Sequence, residues 1–196
     1  MGAMTDNQRS ETTVRVLKPF ADLRDMDFSN ANLSGANCRG ANCRDANFGG
    51  ANLGYANLGY AKLNGAYFTG ANCRDANCRG ANFHGANCRG ADFHGADFSG
   101  AKLTGADFHG ADFSGAKLTG AIGIIQGPQD RRGYDFYAFR HNDATQIKAG
   151  CRWLTLPEAR QHWTHAHADD PSLRAECLAI LDSLEAIARA RGWTLE

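Results

Sequence analysis

Histidine, cysteine and the carboxylates are the side chains of this sequence that could do chemistry, and their spacing limits what that chemistry could be. His162, His165 and His167 stand beside Asp169 and Asp170, the one stretch rich in metal-ligating types. Their HxxHxH spacing matches no established zinc motif and lies across a predicted interhelical loop, so they read as solvated histidines. Seven cysteines are present. Cys38, Cys43, Cys73, Cys78 and Cys88 are separated by multiples of five, the period of the surrounding sequence, and are expected inside a core as small hydrophobes. Cys151 falls in a predicted strand with no partner defined by spacing. The chain has no GxxxxGK[ST], no GxGxxG ahead of a helix, no HExxH and no GxSxG. No catalytic, cofactor-binding or metal-binding residue is assigned, and no cofactor is expected. A metal-dependent enzyme at the histidine cluster is the least favoured alternative.

The stretch that must position most of these side chains is residues 21–120, twenty consecutive pentapeptides from ADLRD to AKLTG. The first position is alanine except at Met26, the third is always Leu, Phe or Cys, and the fifth is mostly Gly. Neither the helical period of 3.6 nor the strand period of 2 divides five. The same residues return to one interior only if the chain turns at a regular interval. The first and third positions then point inward, and glycine serves the corners. Histidines 94 and 109 lie in an exact fifteen-residue duplication, ADFHGADFSGAKLTG, three pentapeptides long.

The repeat resembles the pentapeptide-repeat family, summarised as A(D/N)LXX. The resemblance implies a right-handed quadrilateral β-helix with four pentapeptides per coil, hence about five coils for residues 21–120. Stacked at ~4.8 Å, they give a rod roughly 24 Å long. Residues twenty apart stack, so Phe28, Phe48, Phe68, Cys88 and Phe108 should share one interior column. On the outside, Tyr55, Tyr60 and Tyr67 put aromatic rings at exposed positions, where they favour contact surfaces.

Residues 1–20 read as an N-terminal tail and cap, with Val14, Val16 and Leu17 in a strand or turn over the first coil. Residues 121–132 read as the coil end and a linker. Residues 133–196 read as a small α+β domain, a hairpin plus two helices. Its strands are predicted at 134–140 and 145–154 around a turn at 141–144. Thr155 and Glu158 form a capping box ahead of a helix to about His165. Asp170-Pro171 starts a second helix, whose apolar stripe runs through Leu173, Cys177, Ile180, Leu181, Leu184 and Ile187 until Gly192 stops it. This domain is expected to cap the last coil. Trp153, Trp163, Leu181 and Leu184 are added to the tyrosines as the expected interaction surface, with a homodimer through this domain.

The chain carries 21 basic and 21 acidic side chains. That balance argues against direct nucleic-acid binding, which needs a basic footprint. No run of eighteen apolar residues is present to span a membrane. No secretory signal is visible, and the buried thiols suggest a reducing compartment, so a cytoplasmic protein is expected. The expected function is a non-enzymatic protein-protein interaction scaffold for an unknown protein partner. The alternative comes from the family resemblance: a DNA mimic that binds DNA gyrase, a topoisomerase, and protects it from gyrase poisons. The rod's nine Asp against nine Lys or Arg depart from the strong acidity of such mimics.

Overall fold

The computed structural model describes residues 17–141, 144–149 and 152–195. The chain divides into two compact units, Met1–Ile122 and Gly123–Glu196. Val14, Val16 and Cys151, and the tip of the predicted 141–144 turn, lie outside the described residues.

The first unit is the right-handed quadrilateral β-helix. Parallel bridges join residues twenty apart, from Asp22 with Asn42 through to Lys102 with Ile122, so one coil takes four pentapeptides. Within a repeat such as 46–50 each backbone N–H finds an acceptor. The third and fifth positions donate to the next coil, as Phe48 N does to Tyr67 O at 2.7 Å and Gly50 N to Thr69 O at 2.9 Å. The second donates to the previous coil, Asn47 N to Met26 O at 2.9 Å. The first closes a turn on the preceding repeat, Ala46 N to Cys43 O at 3.3 Å. The fourth donates to the side chain two residues back, Gly49 N to Asn47 Oδ1 at 2.9 Å. That last bond explains the Asn/Asp preference at the second position, because a short side-chain acceptor there satisfies an N–H the coils leave over.

The turn bond combined with positive φ at the fifth position is the geometry of a type II turn, which favours Gly at that place. Third-position side chains are buried throughout, with Phe48 stacked on Phe28 at 5.2 Å and on Phe68 at 4.9 Å between ring centres. The helix begins before residue 21. Ala21 N bonds Lys18 O at 3.2 Å, Phe20 N bonds Arg39 O at 2.8 Å, and Phe20 takes φ 61°. Pro19 and Phe20 thus form a corner of the same kind.

The second unit is an antiparallel sheet in the order β1-β2-β3-β4 with two helices. Its strands are β1 (Ile124–Gln126), β2 (Phe136–His141), β3 (Ala144–Ala149) and β4 (Arg152–Thr155), followed by α1 (Leu156–His165) and α2 (Pro171–Ala190). The expected hairpin is β2 and β3, and it gains a strand on each side. The stretch expected as a linker supplies β1, because Ile124 and Ile125 are each 3% exposed and β1 pairs with β2. The single strand expected over 145–154 is two, β3 and β4, which pair antiparallel. Both helix starts are as the sequence implies. Thr155 Oγ1 accepts from Glu158 N at 3.3 Å while Glu158 accepts from Thr155 N at 2.8 Å, and Asp170 accepts from Leu173 N at 3.0 Å. One core joins Phe136, Ala138 and Ile147 from the sheet to Trp163, Cys177, Leu181 and Leu184 from the helices.

A polar turn closes the gap between β1 and β2. The Asp130 side chain is fully buried and accepts from Arg132 N, Tyr134 N and the Arg132 guanidinium at 2.5–3.2 Å. Burial works to raise this carboxyl, but the bonds from the Arg132 side chain and from two backbone N–H groups outweigh it and hold the group below the usual carboxylate range. Arg131 anchors the turn to α2 through Asp170 and Glu176.

Candidate interaction surface

The outward face of the β-helix is set by its corners. Most corner residues are glycine, and the exceptions with positive φ are mainly Asn or Asp, which tolerate it. Tyr55 and Tyr60 do not belong to that class. They hold φ values of 59° and 60° while 71% and 60% exposed. A bulky residue in the left-handed region is an outlier that costs of order 1–3 kcal/mol, and such strain clusters where a surface has a task. The two tyrosines close successive sides of one coil and bracket residues 56–60, where Gly59 leaves the backbone low. Tyr67, half exposed, sits at a second position on the opposite side, so the three tyrosines do not form one cluster.

Phe20, Gly40, Tyr60 and Gly80 form one corner column, alternating aromatic and glycine. The Phe20 ring lies where a Cβ on Gly40 would sit, 2.5 Å away, and the Tyr60 ring covers Gly80 in the same way at 2.7 Å. Arg39 lies between the rings, its Cζ 5.8 Å from the Phe20 centroid and 5.4 Å from that of Tyr60. The sequence reading missed Phe20 and Arg39. The signal was the alternation of aromatic and glycine at intervals of twenty, which begins ahead of the first obvious repeat.

The other expected surface residues are placed differently. Trp163, Leu181 and Leu184 are at most 4% exposed and belong to the second unit's own core, so they present no surface. The apolar stripe of α2 packs inward against the sheet, which removes the surface on which a homodimer through this domain was expected. Only Ile187 of the stripe is substantially exposed, at 39%. Trp153 is half-buried, its ring tilted 33° against that of Phe139 at 5.0 Å between centres.

The histidines do not converge. His162 meets the Trp163 ring edge-on, and burial lowers its pKa, with Arg152 and His167 adding to the effect. His165 Nδ1 lies 2.8 Å from Gln161 O, and His167 Nε2 lies 3.2 Å from the Arg132 guanidinium. Among the described residues no group of three His, Cys, Asp or Glu side chains is arranged to hold a metal. The five repeat cysteines are buried and unpaired by disulfides. Burial pushes the Cys38 thiol to about 11 and the Cys43 thiol to about 12, which keeps them protonated and poor nucleophiles.

A four-sided β-helix built on these corners defines the class, and the sequence match agrees. The chain belongs to the pentapeptide-repeat family: the family model "Pentapeptide repeats" matches in eight copies over overlapping stretches that run from residue 20 to residue 120. Solved structures similar to it include a pentapeptide-repeat protein of the Arabidopsis thaliana thylakoid lumen, 32% identical over 55% of this chain and 71% of that one, TM-score 0.32. HetL, a pentapeptide-repeat protein involved in heterocyst differentiation regulation in Nostoc sp. strain PCC 7120, is 30% identical over 53% of this chain, with a TM-score of 0.28. This chain spans 58% of HetL's length. QnrB1, a plasmid-mediated fluoroquinolone resistance protein, is 19% identical over 48% of this chain and 61% of its own, TM-score 0.32. A comparison with curated proteins returns no match.

Proposed function

We propose that this protein is a non-enzymatic interaction scaffold whose contact surface lies on the β-helix. The observation that carries this is the strained, exposed pair Tyr55 and Tyr60. Glycine would fill both corners without strain, so two large exposed rings held there at a cost support a use beyond the contacts that Tyr60 makes with Gly80 and Arg39. Groups that could do chemistry are occupied structurally. The repeat thiols are in the core, and second-position carboxylates cap backbone N–H groups or hold arginines. The reduced core thiols support a cytoplasmic setting. The test is affinity capture from the source cells with the full chain and with a Tyr55→Gly/Tyr60→Gly variant as baits. A stoichiometric partner held by the first bait and lost by the second is expected. Absence of any stoichiometric partner would overturn the reading.

A second reading, binding to a topoisomerase as a duplex-DNA mimic, is suggested by family membership. One feature favours it: the second-position column of Asn32, Asn52 and Asn72 continues as Asp92 and Asp112, and Asp97 and Asp107 stand on neighbouring sides. Against it, Arg74, Arg79 and Arg89 reach forward onto Asp92, Asp97 and Asp107 at 3.0–3.1 Å. Neutralised carboxylates attract a phosphate-binding groove weakly. Protection of purified gyrase from a fluoroquinolone in a supercoiling assay would establish this reading, and unchanged inhibition at saturating protein would remove it.

A further inference from the structure

We propose that the side of the β-helix bounded by Phe20, Tyr55 and Tyr60 docks an extended acidic segment of a partner protein, with one of its carboxylates held by Arg39. This rests on the scaffold reading and names the chemistry of the partner. Six arginines stand on residues 21–120. Arg24, Arg74, Arg79 and Arg89 each hold an aspartate at 2.7–3.1 Å. Arg39 and Arg44 are exposed and have no carboxylate within ion-pair distance among the described residues, and of the two it is Arg39 that lies against aromatic rings. Its partners are two rings, with the guanidinium 5.8 Å from the Phe20 centroid and 5.4 Å from that of Tyr60. Rings at cation–π distance attract the charge without accepting the fork of N–H donors, which is left to take a carboxylate in two parallel hydrogen bonds.

The surface continues past Tyr60. A shallow open trough of about 580 Å³ is lined by Tyr60, Arg79, Gly80, Ser99, Gly100 and Thr119. Its floor includes bare backbone, since a Cβ placed on Gly100 would meet nothing within 4 Å. From Phe20 to Thr119 the corner spans five coils. At ~4.8 Å per coil that length accommodates about seven residues of extended chain. A protein segment fits this surface better than nucleic acid does. Nine acidic and nine basic side chains on residues 21–120 leave no footprint for a phosphate backbone.

The probe is a labelled decapeptide of alternating glutamate and glycine, titrated into isotope-labelled full-length protein and followed by NMR. Its glutamine counterpart and a short DNA duplex are the comparators. Saturable shifts are expected at the amides of Gly59, Tyr60, Gly80 and Gly100 and at the Arg39 side-chain N–H. The glutamine peptide should bind at least about tenfold more weakly, since it forfeits the charge on the acceptor. Arg39→Gln should give the same loss. Tyr60→Gly should weaken binding while leaving the spectrum folded, which separates a lost contact from a lost fold. Equal affinity for the two peptides, indifference to Arg39→Gln, or tighter binding of the duplex would each overturn the proposal. Arg39→Gln also serves as a bait in the capture experiment. A partner kept by this bait but lost by the double tyrosine variant overturns the carboxylate clamp and leaves the scaffold standing. No partner even for the wild type removes the scaffold reading and this proposal with it.

Discussion

The two units of this chain bury their apolar side chains by opposite strategies. In the β-helix every coil repeats the one before, and Phe28, Phe48 and Phe68 stack as copies of a single solution. In the second unit each core residue has its own place, and Phe136 meets Trp163 at 5.4 Å in a contact made once. The β-helix interior thus varies only in which of Leu, Phe or Cys fills a repeated slot. What distinguishes one such helix from another is outside, at corners and second positions. In the second unit the distinguishing residues are inside, down to the buried Asp130 that shapes the β1–β2 turn.

The largest effect should come from breaking the repeated interior. Phe68→Asp removes a ring with no exposure and leaves a carboxylate among Phe48 and Phe83. The lost ring alone costs ~3–5 kcal/mol, and the buried charge adds to it. Thr69→Asp, one residue on and exposed, should change stability by under ~0.5 kcal/mol. Chemical denaturation of both variants tests this, and equal midpoints would mean the third position does not carry the core.

Next in size is the unique interior of the second unit. Asp130→Asn should cost about 2 kcal/mol, because the Arg132 guanidinium loses a charged acceptor. The sign with pH follows from the depressed carboxyl. The stabilisation is fully present above the unfolded value near 4 and is lost as pH falls through the lower folded value. The gap between wild type and variant should thus close in acid. A gap that persists unchanged through that range would show that the charge contributes nothing.

Thr155→Ala tests a local device of the second unit. It removes one half of the capping box on α1, with an expected cost of ~1 kcal/mol read as a lower thermal midpoint. The smallest effect has the opposite sign. Tyr55→Gly relieves a left-handed φ of 59° at an exposed corner and should stabilise the β-helix by up to ~1 kcal/mol. A loss of stability there would show that the ring belongs to the fold rather than to a contact surface.

The β-helix was legible in the sequence nearly to the residue because its rule is local and repeated twenty times. The period, the inward third position and the glycine corners all follow from a chain that must turn at fixed intervals. The four-sidedness does not follow from a period of five; it came from the family resemblance and stands in the bridges between residues twenty apart. In the second unit the signals that survived were also local: the Thr155 and Asp170 caps, and the apolar stripe of α2. Partnership between distant segments was decided only by tertiary structure. Ile124 and Ile125 follow the broken repeat among glycines and read as linker, and only pairing with β2 makes them a strand. The stripe through Leu181 and Leu184 has the pattern of any buried helix face, whether the cover is a second copy or its own sheet. The sheet covers it. The Phe20–Arg39–Tyr60 stack needed the coil as well, since it joins residues nineteen and twenty-one apart that a linear reading separates. Coiling at four repeats per turn brings them onto one corner.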